Sequence, residues 1–208
     1  MTVSLGPLLI DAAEPAVVTR FWEATLGEEA AHQLLRFRQE LRPKSVKNRV
    51  HFDVYVRDIA PLLDLGATVL AEYLPMRATL ADIEGNEFCA FLDPEMPASP
   101  LARVFAVCTY SDRPTEIAAW WAGVVGAGVR DGPDGTPRYL YTPAGWERLI
   151  WKFVPVDDER LVPNRWQWTL HADTSALVAV GAALATDGTL VDPQGNEFSV
   201  RPQDRPAG

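Results

Sequence analysis

The chain has 208 residues, of which 48% are hydrophobic and 23% charged, the balance of an ordinary soluble globular protein. Its net charge of −9 repels phosphate backbones, so nucleic acid is excluded as a partner. No apolar run approaches the roughly 20 residues of a membrane helix, and no signal-peptide pattern is visible. The two cysteines, Cys89 and Cys108, do not form a Cys-x-x-Cys pair. Together these features predict a cytoplasmic protein without membrane contact.

The first 48 residues predict a strand, a helix and one further strand. The strand is expected over 3–10. The helix is expected over 15–26, where a proline opens a segment of helical apolar spacing and Gly27 ends it. The residues that follow have room for a single strand, around 34–41. We therefore expect an open sheet edge near 28–38.

Residues 48–91 form the clearest unit of the chain. Over 51–56 apolar and polar residues alternate, which predicts a strand with two unlike faces: Val50, Phe52 and Val54 toward a core, and His51, Asp53 and Tyr55 away from it. A short helix follows and ends at Gly66, and three more strands complete the unit. The predicted order is β-α-β-β-β.

The second half of the chain repeats the landmarks of the first. Asn48-Arg49 returns as Asn164-Arg165, Gly85-Asn86-Glu87-Phe88 as Gly195-Asn196-Glu197-Phe198, and the helix at 15–26 as 114–126. We interpret this as an internal duplication into two domains, 1–97 and 98–208, joined by a proline-rich linker. At the place where the first copy has room for a single strand, the second copy has room for two, at 138–141 and 148–155. The tail from Pro202 is expected to be disordered.

These motifs resemble the glyoxalase-like branch of the glyoxalase/bleomycin-resistance/dioxygenase (vicinal oxygen chelate) superfamily. The resemblance rests on Arg49-Val50-His51-Phe52-Asp53, Leu65-Gly66-Ala67 and Gly85-Asn86-Glu87-Phe88-Cys89. It implies an α+β fold of tandem glyoxalase-like domains, built from β-α-β-β-β modules with cupped mixed sheets, the first module being truncated. It also implies an intramolecular domain pair, in a monomer or homodimer. Function stays open, because this fold carries isomerases, dioxygenases, antibiotic-modifying enzymes and drug-binding proteins.

Metal-using members of the superfamily place His or Gln on the first strand of a module and Glu on its last, facing the cup. Carried over residue by residue, the resemblance gives these positions to His51, Cys89, Gln167 and Ser199, with Pro7 and Ala106 on the opening strands. A divalent ion needs three or four converging donors. Each domain offers at most one conventional nitrogen or oxygen donor, so we expect no metal and no other cofactor.

The cupped faces suggest binding and acid/base chemistry instead. His51 and Asp53 alternate on one strand, about 7 Å apart, and are the candidate catalytic pair. The second domain is expected to place Cys108 and Tyr110 beside Gln167. Large rigid aromatics suit planar ligands. The predicted ligand-binding residues are Tyr55, Cys89, Tyr110, Trp146, Trp151, Gln167, His171 and Ser199.

Three classes of function follow from these residues. The leading one is metal-independent binding of a small, aromatic or natural-product-like molecule, as in bleomycin-resistance sequestration. The second is a lyase or isomerase of the glyoxalase type that uses His51 with Asp53, with or without metal. The third is an interaction module whose open edge near Leu34 recruits a partner.

Overall fold

The computed structural model describes residues 3–73, 75–186 and 188–201. The tail from Pro202, predicted to be disordered, lies outside them. In the first half the elements are β1 (Ser4–Leu5), β2 (Leu8–Ala12), α1 (Pro15–Leu26), α2 (Glu28–Leu34), β3 (Leu35–Gln39), β4 (Val50–Val56), α3 (Ala60–Asp64), β5 (Thr68–Tyr73), β6 (Arg77–Ala81) and β7 (Glu87–Leu92). In the second half they are β8 (Ala102–Ser111), α4 (Pro114–Val125), β9 (Gly128–Asp131), β10 (Pro137–Tyr141), β11 (Ile150–Pro155), β12 (Trp166–His171), α5 (Thr174–Ala179), β13 (Ala183–Leu184), β14 (Leu190–Val191) and β15 (Glu197–Arg201).

These elements form four modules, which confirms the predicted α+β fold of repeated β-α-β-β-β units. Module 1 is β2, α1, α2 and β3; module 2 is β4 to β7 with α3; module 3 is β8 to β11 with α4; module 4 is β12 to β15 with α5. Module 1 is truncated as expected, since α2 stands where module 3 has β9 and β10. Both α2 and β9 were missed by the sequence analysis. Within the described residues, no helix is long and apolar enough to span a bilayer.

Each of the two sheets combines one module from each half of the chain. Modules 2 and 3 form an eight-stranded sheet in the order β5-β6-β7-β4-β8-β11-β10-β9. Modules 1 and 4 form the other, in the order β13-β14-β15-β12-β2-β3, with β1 also on β12. The central pairs are antiparallel, with His51 of β4 opposite Cys108 of β8 and Gln167 of β12 opposite Leu9 of β2.

This pairing corrects one expected grouping of residues. Cys108 and Tyr110 do not lie beside Gln167, because β8 pairs with β4 and not with β12. The strand β3 ends the sheet of modules 1 and 4, at the predicted open edge, and the residues before it are helical.

The core lies where α1 and α4 meet both sheets. Phe52 is fully buried, with its ring 5.8 Å from that of Trp22 on α1 and 5.2 Å from that of Trp166 in the other sheet. Trp121 on α4 likewise contacts Trp168 and Phe198. Such buried aromatic pairs add roughly 0.5–1.5 kcal/mol each to the free energy of area burial. The register of β4 is therefore the predicted one, with Phe52 in the core and His51 on the opposite face.

The prediction that Trp146 and Trp151 line a pocket is wrong. Both indoles are buried, 5.9 Å apart, and Trp151 is also 4.8 Å from Trp121. The indole N–H of Trp151 donates to Thr109 Oγ1 at 2.8 Å. Because successive side chains on a strand face opposite ways, β11 sends Trp151 into the core and Lys152 to the cup.

The turns that contain Asp82 and Asp192 are hydrogen-bonded to the long helices α1 and α4, each of which belongs to the preceding module. The indole N–H of Trp22 donates to Asp82 Oδ2 at 3.2 Å, and that of Trp121 donates to Asp192 Oδ2 at 3.1 Å. Burial raises the pKa of both carboxyls, although the N–H groups around them oppose this. Each bond stays within one half of the chain, whereas strand pairing connects the halves.

Candidate functional site

The face of the eight-stranded sheet that points away from α1 and α4 is the candidate site, and we call it the His51 cup. Period-two alternation places there His51, Asp53 and Tyr55 of β4, Cys89 and Phe91 of β7, Cys108 and Tyr110 of β8, and Lys152 of β11. Five of these were named from the sequence as site residues: His51, Asp53, Tyr55, Cys89 and Tyr110. Lys152 was missed, because nothing in the local pattern of β11 indicates that it would meet β4 across β8.

A polar cluster forms the floor of the His51 cup. His51 Nε2 lies 3.5 Å from Asp53 Oδ1 and 3.7 Å from Cys89 Sγ. Asp53 Oδ2 accepts hydrogen bonds from Lys152 Nζ at 2.8 Å and from Cys108 Sγ at 3.2 Å. His51, Asp53, Cys89 and Cys108 are each less than one-tenth exposed. Asp53 is therefore the centre of the cluster and is bound from three sides.

The surroundings of these groups set their protonation. Burial alone would raise the pKa of Asp53, but the hydrogen bond from His51 and the charge of Lys152 lower it to about 2. Burial lowers the pKa of His51, yet the adjoining Cys108 sulfur and Asp53 carboxylate raise it more. Burial raises the pKa of the Cys108 thiol. The floor thus combines the Asp53 carboxylate and the Lys152 ammonium group with a thiol and an imidazole whose pKa values are both raised.

These residues do not fit the divalent ion of the superfamily. His51, Asp53 and Cys108 do offer donor atoms within 4.8 Å of one another. However, the Asp53 carboxylate is already neutralised by the Lys152 ammonium, and a second cation beside it would meet like-charge repulsion. Metal binding would also require Cys108 to lose its proton at a site that raises its pKa. The chemistry of this floor is that of proton-bearing groups around an internal ion pair.

Three aromatic rings stand above the floor, and we call them the three-ring cluster: Tyr55, Phe91 and Phe105. The rings of Tyr55 and Phe105 stack with centroids 4.1 Å apart, and Phe91 meets Phe105 edge-on at 5.3 Å. All three side chains are partly exposed. Phe105 was not predicted, because a β-bulge in the β4–β8 pairing turns it toward the cup, and alternation alone would not place it there.

Tyr110 lies at the other end of the His51 cup. Its ring stacks on His51 with centroids 5.3 Å apart, and Lys47 Nζ is 4.0 Å from its ring centroid. Tyr110 therefore belongs with His51, as a ring that covers the imidazole. His51 Nδ1 is buried and has no hydrogen-bond partner among the described residues.

The remaining predicted residues, Gln167, His171 and Ser199, lie on the sheet of modules 1 and 4. They are in a different cup from His51, which we call the open cup. A cavity of about 890 Å³ opens beside Gln167 and Ser199. Its charged lining is already paired: Arg38 with Asp11 at 2.6 Å, Arg42 with Glu40 at 2.9 Å, and Arg160 with Glu197 at 3.2 Å. The open cup thus offers space and neutralised charge, and the phenylalanine in its lining, Phe198, is fully buried.

Comparison with known proteins agrees with this architecture. The sequence model of the glyoxalase-like domain family matches residues 7–91 and 106–201. Among proteins with curated descriptions, none matches. Glyoxalase I from Zea mays is similar in structure with a TM-score of 0.59 at 12% identity, over 97% of this chain and 92% of that one. A putative dioxygenase from Bacillus subtilis subsp. subtilis str. 168 gives 0.59 at 10% identity, over 98% and 86%. At such identities the likeness shows the fold.

Proposed function

The chain belongs to the glyoxalase-like domain family, and from that premise we propose that it binds a small aromatic molecule in the His51 cup without a metal. The function would be sequestration of the bleomycin-resistance kind. One observation carries the proposal: the three-ring cluster stands partly exposed above a buried polar floor.

The aromatic rings and the polar floor make different contributions to the proposed binding. Rigid aromatic side chains offer a large contact area at little cost in conformational entropy. A few polar groups then fix the orientation of the ligand. Here Tyr55 and Phe105 present the area, while His51 and Lys152 present proton-bearing nitrogens beneath. The Lys152–Asp53 ion pair supports the metal-independent part of the proposal, since it supplies the cup with a cation of its own.

Binding is tested with Phe105→Ala and a matched control, Phe37→Ala, which truncates a partly buried phenylalanine on the other sheet. Native mass spectrometry of the purified protein identifies what co-purifies, and titration calorimetry with planar aromatic compounds measures affinity. We expect Phe105→Ala to weaken binding about tenfold and Phe37→Ala to leave it unchanged. Equal affinity in the two variants would contradict the proposed site. One tightly bound zinc, nickel or iron per chain, found by elemental analysis, would overturn the metal-independent part.

A second function is favoured by the contact between His51 and Asp53. With Asp53 held ionised by Lys152 and facing Nε2 of the imidazole, His51 can give up and take back a proton at Nδ1, which has no partner among the described residues, as a lyase or isomerase requires. We propose this as the alternative activity of the same cup. In that case His51→Gln abolishes turnover of the co-purified compound while its affinity stays within a few-fold. Turnover that survives this substitution would exclude the alternative.

We further propose a cytoplasmic location, because both cysteines are free thiols. The division into domains 1–97 and 98–208 is likewise kept as a proposal, with the pair acting as a monomer or homodimer.

A further inference from the structure

Cations gather around the three-ring cluster. Lys152 Nζ lies 4.6 Å from the ring centroid of Phe105. The guanidinium carbon of Arg103 lies 5.1 Å from the Tyr55 ring, and that of Arg77 lies 5.9 Å from the Phe91 ring. Each ring of the cluster therefore has a cationic group within about 6 Å, the range of a cation–π contact.

Two of these cations have no counter-charge. Lys152 is paired with Asp53, but Arg77 and Arg103 have no carboxylate within ion-pair distance among the described residues. The chain carries 28 acidic residues against 19 basic ones, so carboxylates are in excess. Two unpaired arginines beside one aromatic cluster leave a local positive field on an acidic protein.

We propose that the ligand of the His51 cup is a small aromatic carboxylate. This inference rests on the proposed function and adds the charge of the ligand to it. The aromatic part packs against the exposed part of the three-ring cluster, and the carboxylate accepts hydrogen bonds from Arg77 and Arg103. Arginine suits this role because its planar guanidinium matches a carboxylate with two parallel N–H donors.

The arrangement disfavours the other ligand charges. An aromatic cation would be repelled by Arg77 and Arg103, which have no carboxylate partner among the described residues. A neutral aromatic would gain the ring contacts but leave both guanidinium groups without a carboxylate; Arg77 contacts Cys89 Sγ at 3.7 Å and the ring of Tyr73 at 4.2 Å, and both of these partners are uncharged. Lys152 contributes little to the preference, because the Asp53 carboxylate already uses its charge at 2.8 Å. Arg77 and Arg103 therefore determine the specificity for charge.

The test uses three probes that share one ring and differ in charge: phenylacetate, phenylacetamide and 2-phenylethylamine. Titration calorimetry or ligand-observed NMR with the full chain gives the three dissociation constants. We expect phenylacetate to bind about tenfold or more tightly than phenylacetamide, and the amine to bind most weakly. The preference for phenylacetate should shrink as salt rises, because exposed charges are screened.

Two variants assign the preference to its residues. Arg77→Gln and Arg103→Gln should each reduce the ratio of phenylacetate affinity to phenylacetamide affinity, and together bring this ratio near one. Arg20→Gln is the matched control, because Arg20 is an exposed arginine on α1, without a carboxylate partner among the described residues and away from the cup.

The outcomes separate the two proposals. Preference for phenylacetate that disappears in the double variant supports the inference. Equal or stronger binding of the amide or the amine overturns the inference and leaves aromatic binding intact. Failure of all three probes to bind at millimolar concentration, with no aromatic compound co-purifying, overturns the proposed function as well.

Discussion

Replacing Lys152 by Met measures what the internal ion pair contributes to stability. The substitution keeps most of the apolar length of the side chain and removes the ammonium that lies 2.8 Å from Asp53 Oδ2. Asp53 then remains a buried carboxylate with His51 and Cys108 as its neighbours. Removing one partner of a buried pair is destabilising because the other charge is left without compensation.

The expected loss in the free energy of unfolding follows from the pKa of Asp53. Its lowering from 3.8 to about 2 corresponds to about 2–3 kcal/mol of stability at neutral pH. His51 contributes the larger part of this lowering, and Lys152 contributes next. Without the ammonium group, Lys152 no longer offsets the unfavourable effect of burial on the charged form of Asp53. We therefore expect Lys152→Met to lower the free energy of unfolding by about 2 kcal/mol at pH 7.

The pH dependence gives the sharper test. Because the folded-state pKa of Asp53 is lowered, its stabilising effect is present above the ordinary value of 3.8 and lost as pH falls toward about 2. In the variant that pKa is higher, so the stability difference should be full at neutral pH and shrink with acid. Urea unfolding between pH 3 and 8 measures this. Arg113→Met, which breaks an exposed ion pair with Glu116, should cost less than about 1 kcal/mol throughout.

A double variant tests whether the loss of stability comes from the unpaired charge of Asp53. Asp53→Asn with Lys152→Met removes both charges, and we expect it to recover most of the stability lost by Lys152→Met alone. If Lys152→Met unfolds at the same urea concentration as the wild type at pH 7, the ion pair contributes nothing and the reasoning about the floor is wrong. The same conclusion follows if the loss is independent of pH.

Three further predictions concern the register, a turn and the halves of the chain. Phe52→Ala should cost about 3–5 kcal/mol in urea unfolding, whereas His51→Ala should change ligand binding or turnover at a smaller cost, about 2 kcal/mol, because Asp53 loses its contact with the imidazole; the opposite pattern would refute the register of β4. Gly145→Ala should destabilise, because at φ +92° an added Cβ meets the backbone of β1; unchanged thermal stability would contradict this. When the two halves are expressed separately, as residues 1–97 and 102–208, we expect each to be unstable alone and the two to associate when mixed, which size-exclusion chromatography can show. Two stable monomers without affinity for each other would contradict the architecture in which each sheet is shared between the halves.

The sequence predicted those features that depend on local periodicity. Alternation over β4 assigned Phe52 to the core and His51 to the cup correctly, and helical spacing with an N-terminal proline located α1. The duplication and the motifs around His51 predicted the family and the fold. These successes share a cause: hydrophobic period and capping residues act over a few neighbouring positions.

The site was predicted only in part because its assembly is non-local. Which strand pairs with β4 is decided by how whole modules pack, so Cys108 and Tyr110 were assigned to the wrong cup. Phe105 depends on a bulge that has no signature in a single strand. The segment of β11 is apolar on both sides of Lys152, so its alternation does not tell which face Trp151 takes. Six of the seven tryptophans lie in the second half of the chain, and five of these six are buried in the core.

The Trp22–Asp82 and Trp121–Asp192 bonds join consecutive modules, whereas the two sheets join modules from opposite halves. The four modules are thus interlaced in a closed ring of contacts, and no single cut separates one cup from the other. We therefore expect both cups to unfold together, in a single cooperative transition. A ligand that occupies either cup at about 100 times its Kd therefore adds about 3 kcal/mol to the stability of the whole ring, including the cup that it never touches.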